Sequence, residues 1–330
     1  MRSVFRLARQ HLRGPAACDE GSLKRFFTMS IRPGIRIARI VKDWRDRAPV
    51  VKQFALGLGS VDASALELLK SGKHSFVGRV TLDGQPVVVK WRELTTLNDR
   101  AKCVFGASRA FRQWRGARRL ASAGIPAARP FALLVQYGIS SATSDSGESA
   151  RSYANPREWL ILENVPGKTV LHHLADEELS LIDQHALARA VGVQVGAMLR
   201  AGLCNRDHKP SNLMASFDDG VPIVTLIDTV AIRRRSNPGE MVRMLATLLI
   251  ESIGVGVAPR GAIAFRVLRD ACAAWLEGTL GRPLGAHKGD RKALRALVRS
   301  TAKRVDQYIR FHGDPKPKDN PLESPANPKQ

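Results

Sequence analysis

Two apolar runs bracket one short polar segment, and that juxtaposition limits what the chain can build. Residues 183–202 read as a helix, "CNRDHKPSNLM" (204–214) follows, and "PIVTLIDTVAI" (222–232) reads as a buried strand. Asp228 falls near the end of that strand. A carboxylate just past a buried strand is costly unless something binds it. The pattern Asp207-x-Lys209-x-x-Asn212 should arise by chance in about 4% of chains this long, taking each residue type at about 5% of positions. Arg206, the long helix before and the strand with its Asp some 16 residues beyond Asn212 make accident much rarer. The competing reading is a turn or N-cap cluster, because Asp, Asn, Ser and Pro are turn residues.

These residue types suit phosphoryl transfer. That reaction needs a carboxylate to orient and deprotonate a hydroxyl, a cation to neutralise the migrating group, and oxygen ligands for magnesium. Asp207 fits the first role and Lys209 the second. The side-chain oxygen of Asn212 fits the third, with Asp228 completing the metal site, since Mg²⁺ takes hard oxygen donors.

The rest of the chain reads as a strand-rich half followed by a helical half. Residues 61–70 suggest a short helix. In "SFVGRVTLDGQPVVVKW", two Val-rich runs flank Asp83-Gly84, which signals a hairpin. Residues 106–123 read as a helix stopped by Gly124 and Pro126. "PFALLVQYG" and "EWLILENV" are the next strands, separated by a Ser-rich insertion. After Pro166-Gly167 the pattern turns helical over 169–175, 183–202, 239–253, 260–279 and 290–312. In the last of these, Leu294, Leu297, Val298, Val305, Tyr308 and Ile309 make one apolar stripe. A Pro-rich polar tail begins at 313 and is expected to be disordered.

Composition narrows the partners. Lys and Arg total 52 against 30 acids, a net charge of +22. Such a field attracts phosphates, nucleic acid or an anionic membrane and says nothing of fold. Aromatic content of only 6% argues against single-strand nucleic-acid binding by stacking. Four scattered cysteines fit neither a zinc framework nor a disulfide scaffold, so reduced thiols in a reducing compartment are expected. The most apolar windows are broken by Arg189, Arg200, Arg243 and Glu251, and none gives a membrane span. The basic leader lacks the continuous apolar core of a secretory signal, and Met29 is a second candidate start. His172-His173, His208, Glu240 and Arg243 read as surface groups, and Trp91, Trp159 and Trp275 as packing residues.

"NRDHKPSNLM" resembles the catalytic loop of the protein-kinase-like superfamily, and "LIDTV" resembles its metal-binding segment. "VVVKW" is similar to the strand bearing the ATP-contacting lysine, here Lys90. "SRAFRQWRGARRLASAGIPAARPFALL" resembles, more narrowly, the lipopolysaccharide core kinases, the Kdo and heptose kinase family. The resemblance covers about residues 65–280. It implies an α+β, bilobal fold: a small antiparallel-sheet lobe with one long helix over 61–165, with a flexible insertion at 140–156, and a helical lobe over 166–312. A basic extension over 1–60 and a tail over 313–330 would flank them.

The same resemblance implies ATP and Mg²⁺ as cofactors. Lys90 would contact the α- and β-phosphates, and the backbone around Glu163 and Val165 would hold adenine. Asp207 would be the catalytic base, Lys209 a γ-phosphate contact, and Asn212 and Asp228 the magnesium ligands. Three positions depart from the pattern: Asn205 replaces a His, Thr229-Val230 replaces Phe-Gly, and Gln113 replaces the glutamate that pairs with Lys90. The Gly72/Gly78 stretch is a weak phosphate loop. The expected partner is a sugar hydroxyl of a glycolipid, with peripheral contact to an anionic inner-membrane surface and a cytoplasmic location. A different small-molecule or protein acceptor, and a basic pseudokinase scaffold with little turnover, stay open as alternatives. Nucleic-acid binding rests on charge alone.

Overall fold

Alternation along two central strands explains how the N-terminal half is layered. The computed structural model describes residues 34–57, 66–137, 155–176, 179–313 and 322. Strands β1 (Gly34–Ile40), β2 (Glu67–Gly72), β3 (Ser75–Leu82), β4 (Gln85–Glu93), β5 (Pro130–Tyr137) and β6 (Arg157–Glu163) form a six-stranded sheet. Its order is β1-β5-β6-β4-β3-β2, with every pairing antiparallel. Side chains on β5 and β6 alternate between two covered faces. Phe131, Leu134, Trp159 and Ile161 join Trp44, Val51 and Ala55, the last two from helix α1 (Ala48–Gly57). Trp44 stacks on Phe131 at 4.3 Å between ring centroids. On the other face Leu133, Leu160 and Leu162 pack against Ala110 and Trp114. Those two belong to helix α3 (Arg109–Ser122), which follows α2 (Leu97–Val104). Both faces are covered, so "FALLV" and "WLIL" are continuous apolar runs.

The hairpin at Asp83-Gly84 forms as its sequence predicts. Both residues have positive φ (51° and 72°), as a two-residue turn matched to strand twist requires. The helix expected over 61–70 does not form in its described part, because Glu67–Gly72 is an edge strand paired with β3. All six of its residues are exposed. A helix there would bury no face, while pairing with β3 satisfies the backbone. Residues 34–57, expected within a basic extension, supply a strand and a helix to the sheet's core. The basic leader 1–28, nearly all of the insertion and the tail beyond 313, Leu322 apart, lie outside the described residues.

The C-terminal half is mainly helical and holds two small sheets, one of three strands and one of two. Strand β7 (Lys168–Thr169) leads into α4 (Val170–Ala175) and α5 (Leu181–Arg200). Strands β8 (Leu203–Asn205), β9 (Leu213–Asp218), β10 (Val221–Leu226) and β11 (Ile232–Arg234) follow. Helices α6 (Pro238–Gly254), α7 (Gly261–Leu280) and α8 (Asp290–His312) close the chain. "PIVTLIDTVAI" is therefore not one strand: β10 ends at Leu226, the chain bends at Ile227, and β11 begins only at Ile232. Helix α8 turns its predicted apolar stripe onto the common core. The buried cysteines Cys103, Cys204 and Cys272 are free thiols. No helix among the described residues is long and apolar enough to cross a membrane.

Helices α5 and α7 cross closely because α5 carries glycines at the crossing. A Cβ on Gly192 would lie 2.5 Å from the Val267 carbonyl oxygen, and one on Gly196 would lie 2.7 Å from that of Ala271. Backbone atoms cannot move aside as a flexible side chain could. Gly196→Val should therefore destabilise the protein by about 1–3 kcal/mol despite valine's better helix propensity. Urea unfolding monitored by circular dichroism measures this directly; an unchanged midpoint would contradict the crossing geometry.

Candidate active site

A hairpin register brings the two distant halves of the polar constellation together. Leu213 pairs with Leu226, and the β9–β10 ladder runs from there to Asp218 opposite Val221. At its open end the Ile227 N–H donates to the Asn212 carbonyl, 3.0 Å away. Asn212 and the segment holding Asp228 thus leave the hairpin side by side. The pairing of Ile232 with Asn205 ties the other flank of the polar segment to the same place.

Within the segment, buried polar groups fix the loop. Asn205 is fully buried, and its side-chain oxygen accepts the Asp207 N–H at 3.1 Å. The Asn212 amide donates to the Asp207 carbonyl (3.1 Å) and to its carboxylate (3.3 Å). Lys209 Nζ lies 3.1 Å from the other carboxylate oxygen of Asp207, and both side chains are 41% exposed. Pro210 starts a short 3₁₀ turn, Pro210–Asn212. The Ser211 N–H and hydroxyl donate to the two oxygens of Glu251, at 2.8 and 2.6 Å. Glu251, inside α6, thereby anchors the turn that presents Asn212.

The sheet contributes Lys90, which sits on β4 opposite Val77 and Leu160. Its ammonium donates to Gln113 Oε1 (3.3 Å) and to the Ile227 carbonyl (3.2 Å). Gln113 Nε2 donates to that same carbonyl at 3.1 Å. Helix α3 is held further by the Thr229 hydroxyl, which donates to the Gln113 carbonyl at 2.7 Å. Gly116 permits this approach, since a Cβ there would sit 2.0 Å from the Thr229 carbonyl oxygen. The helix start is fixed to β6 by Glu158, whose carboxylate accepts the Ala110 N–H.

Asp228 is the most constrained carboxylate of the group. One oxygen accepts the Val230 N–H at 3.0 Å, and the other accepts from Arg109 at 3.1 Å. Burial alone would raise its pKa, but the charges of Lys90 and Arg109 and the Val230 N–H outweigh it and hold the carboxyl below its usual range. Burial pushes the Lys90 ammonium down, with Asp228 opposing and Arg109 adding to the fall.

The structure gathers Lys90, Gln113 and Asp228 into one group and Asp207, Lys209 and Asn212 into another, and Ile227 bonds both. Glu163 ends β6, exchanging hydrogen bonds with the Arg129 backbone, and Val165 follows in the connection to β7. Neither bonds any of the other six among the described residues. No cluster of three or more His, Cys, Asp or Glu exists among the described residues. The possible oxygen donors are therefore Asp228, Asn212 and Asp207. That set is too sparse for a closed protein cage but fits Mg²⁺, which binds through one or two carboxylates and takes its other ligands from substrate phosphates and water.

Several surface assignments are corrected. His208 is completely buried, and neither ring nitrogen has a partner. Glu240 is buried in the first turn of α6, where it pairs with Arg206 and Arg235. Adjacent polar letters in a loop gave no sign that the chain folds over them. His172 and His173, also read as surface groups, are half-buried, His172 engaging Thr169 and His173 the Ala215 carbonyl. Sequence reasoning also missed Arg109, whose one signal is a cation in the first turn of a helix, where the dipole disfavours it. Trp91 and Trp159 pack as expected.

No family model matches the chain, and no curated protein sequence matches it. Among solved structures it is similar to "WaaP in complex with acyl carrier protein", at 18% identity and a TM-score of 0.48. The match covers 83% of this chain and 99% of that one.

Burial depresses the His208 pKa to about 4, against an ordinary value of 6.5. Between those values the unfolded chain binds the proton and the folded chain does not. Stability contributed by the neutral ring is present above pH 6.5 and falls as pH drops towards 4, by at most about 1.4 kcal/mol per pH unit. His208→Leu should flatten this acid limb and be at least as stable as wild type at pH 7. Melting temperatures across pH 4–7.5 check both; parallel curves would show that His208 does not titrate as described.

Proposed function

We propose that the chain is an ATP- and Mg²⁺-dependent phosphotransferase of protein-kinase-like, bilobal fold. In this reading the sheet-bearing part (61–165, with residues 34–57 added) and the helical part (166–312) are the two lobes. The observation that carries it is the convergence on Ile227: Lys90 and Gln113 at its carbonyl, Asn212 at its N–H, and Asp228 next in sequence. The acceptor is a hydroxyl, with a sugar of a lipopolysaccharide-core-type glycolipid as the class the motif resemblance favours. An apolar cavity of about 360 Å³ in the helical half, walled by Leu187, Leu245 and Ile263 and bordered by Pro210, supports an acceptor with an apolar portion. The charge of +22 supports a cytoplasmic protein working peripherally at an anionic inner-membrane surface.

The roles follow from chemistry and position. Asp207 orients the acceptor hydroxyl and takes its proton. Lys209, already paired with Asp207, neutralises charge on the phosphoryl group as it moves. Lys90 binds the α- and β-phosphates, while the backbone at Glu163 and Val165 holds adenine. Asn212 and Asp228 would hold Mg²⁺, which supplies charge neutralisation between the phosphates. Asp228 is ionised at neutral pH and so ready to ligate, provided Arg109 swings away.

Two observations favour a second reading, a nucleotide-binding scaffold with little turnover. Gln113 gives Lys90 an amide in place of a carboxylate, and Arg109 occupies one oxygen of Asp228.

Incubation with radiolabelled ATP, Mg²⁺ and dephosphorylated core glycolipid separates the two. Transfer should occur, and Asp207→Ala should lower it by about 10²–10⁴-fold without loss of the fold. Mg-ATP binding seen by thermal shift with no transfer to this or any other acceptor screened by ADP release would favour the scaffold; absence of binding would count against both readings. Gln113→Glu should hold Lys90 more firmly by adding a charge to an existing hydrogen bond. Its kcat should match or exceed wild type; a clear fall would show that Gln113 is not the counterpart of an ion-pairing carboxylate.

A further inference from the structure

Helix α3 carries five arginines, Arg109, Arg112, Arg115, Arg118 and Arg119, and no acidic residue. Arg109 pairs with Asp228, and no other arginine of the helix makes an ion pair among the described residues. Arg112, Arg115 and Arg119 recur at i, i+3 and i+7 and so share one face. That face differs from the one that sets Gln113 and Gly116 against residues 227–229. Arg39 joins from the edge strand β1, its guanidinium 5.8 Å from the centroid of the Phe111 ring. Arg112 Nε is buried without a hydrogen-bond partner. Partial burial and then the charges of Arg119, Arg112 and Arg39 lower the pKa of Arg115, so Arg115 lies within electrostatic reach of the other three.

Such a cluster opposes folding, because like charges at neighbouring helical positions repel and an orphaned buried N–H is costly. A single dianion would reverse both effects. Guanidinium forks match phosphate oxygens two at a time, and a phosphate offers three oxygens and nearly two charges where a carboxylate offers two and one. We propose that Arg39, Arg112, Arg115 and Arg119 form a binding site for a phosphate dianion, free or as a lipid-headgroup monoester, separate from the Lys90–Asp228 site. The same helix presents Gln113 to Lys90 and Arg109 to Asp228, so an occupied site also steadies the far face of α3. The inference uses no part of the phosphotransferase reading and stands or falls without it.

The test compares the melting temperature of the full chain in sodium phosphate and in sodium chloride of equal ionic strength. It adds sedimentation with phosphatidylcholine vesicles with and without phosphatidic acid. Arg115→Gln/Arg119→Gln should melt higher than wild type in chloride, because repulsion is relieved, and should lose the phosphate-specific shift or the vesicle binding. Asp228→Asn should keep them. If the glutamine pair fails to fold, Arg115→Lys/Arg119→Lys keeps the charge, loses the fork, and should bind about tenfold or more weakly. Response to both probes assigns the dianion itself, and response to vesicles alone assigns a lipid headgroup. Response to neither, an equal response in the arginine variants, or loss of response in Asp228→Asn overturns the site.

Discussion

The backbone of one residue, Ile227, ties the molecule's two halves together. The Ile227 carbonyl accepts from Lys90 and Gln113, and the Ile227 N–H reaches back to Asn212. A central strand, a long helix and the polar loop therefore share one anchor. An ammonium that loses hydration to burial needs acceptors in its place, and this carbonyl and the Gln113 oxygen are the two acceptors Lys90 finds. Asp228, one residue on, adds charge compensation without a direct bond.

The anchor also explains why the surrounding polar residues are buried rather than solvated. Asn205, Glu251 and Glu240 each hold one end of the loop system: the Asp207 N–H, the Ser211 turn and the Arg206 guanidinium. Each satisfied bond contributes only about 1 kcal/mol, but each would cost more if left unmade in the interior. These bonds favour the observed loop conformation because losing any of them would leave a buried group without a partner. The satisfaction is incomplete: both nitrogens of His208, Asn205 Nδ2, Arg206 Nε and Glu240 Oε2 are buried without a hydrogen-bond partner.

Much of this was legible in the chain itself. The Val-rich and continuous apolar runs, the Asp83-Gly84 turn and the helical stripes each rest on local chemistry, and the elements they predict form within a few residues. The polar constellation was legible as a motif, Asp207-x-Lys209-x-x-Asn212 with Asp228 beyond it, but the β9–β10 hairpin that sets Asn212 beside Ile227 was not, because residues 222–232 read as one strand. Illegible features depended on what lies over a residue rather than beside it. Glu67–Gly72 looks helical until β3 offers it a partner. His208 and Glu240 look solvated until α6 and the loop close on them. Arg109 looked like one more surface cation until the fold set it against Asp228.

Gly116 has an implication for the support of Lys90. With the Thr229 carbonyl oxygen 2.0 Å from where a methyl would stand, this position has no room for even the smallest side chain. A methyl group at this position would prise the helix away from the strand-end segment, and with it the amide that supports Lys90. The absence of one carbon atom at residue 116 is thus a condition for the lysine's support, although the glycine itself touches no reacting group.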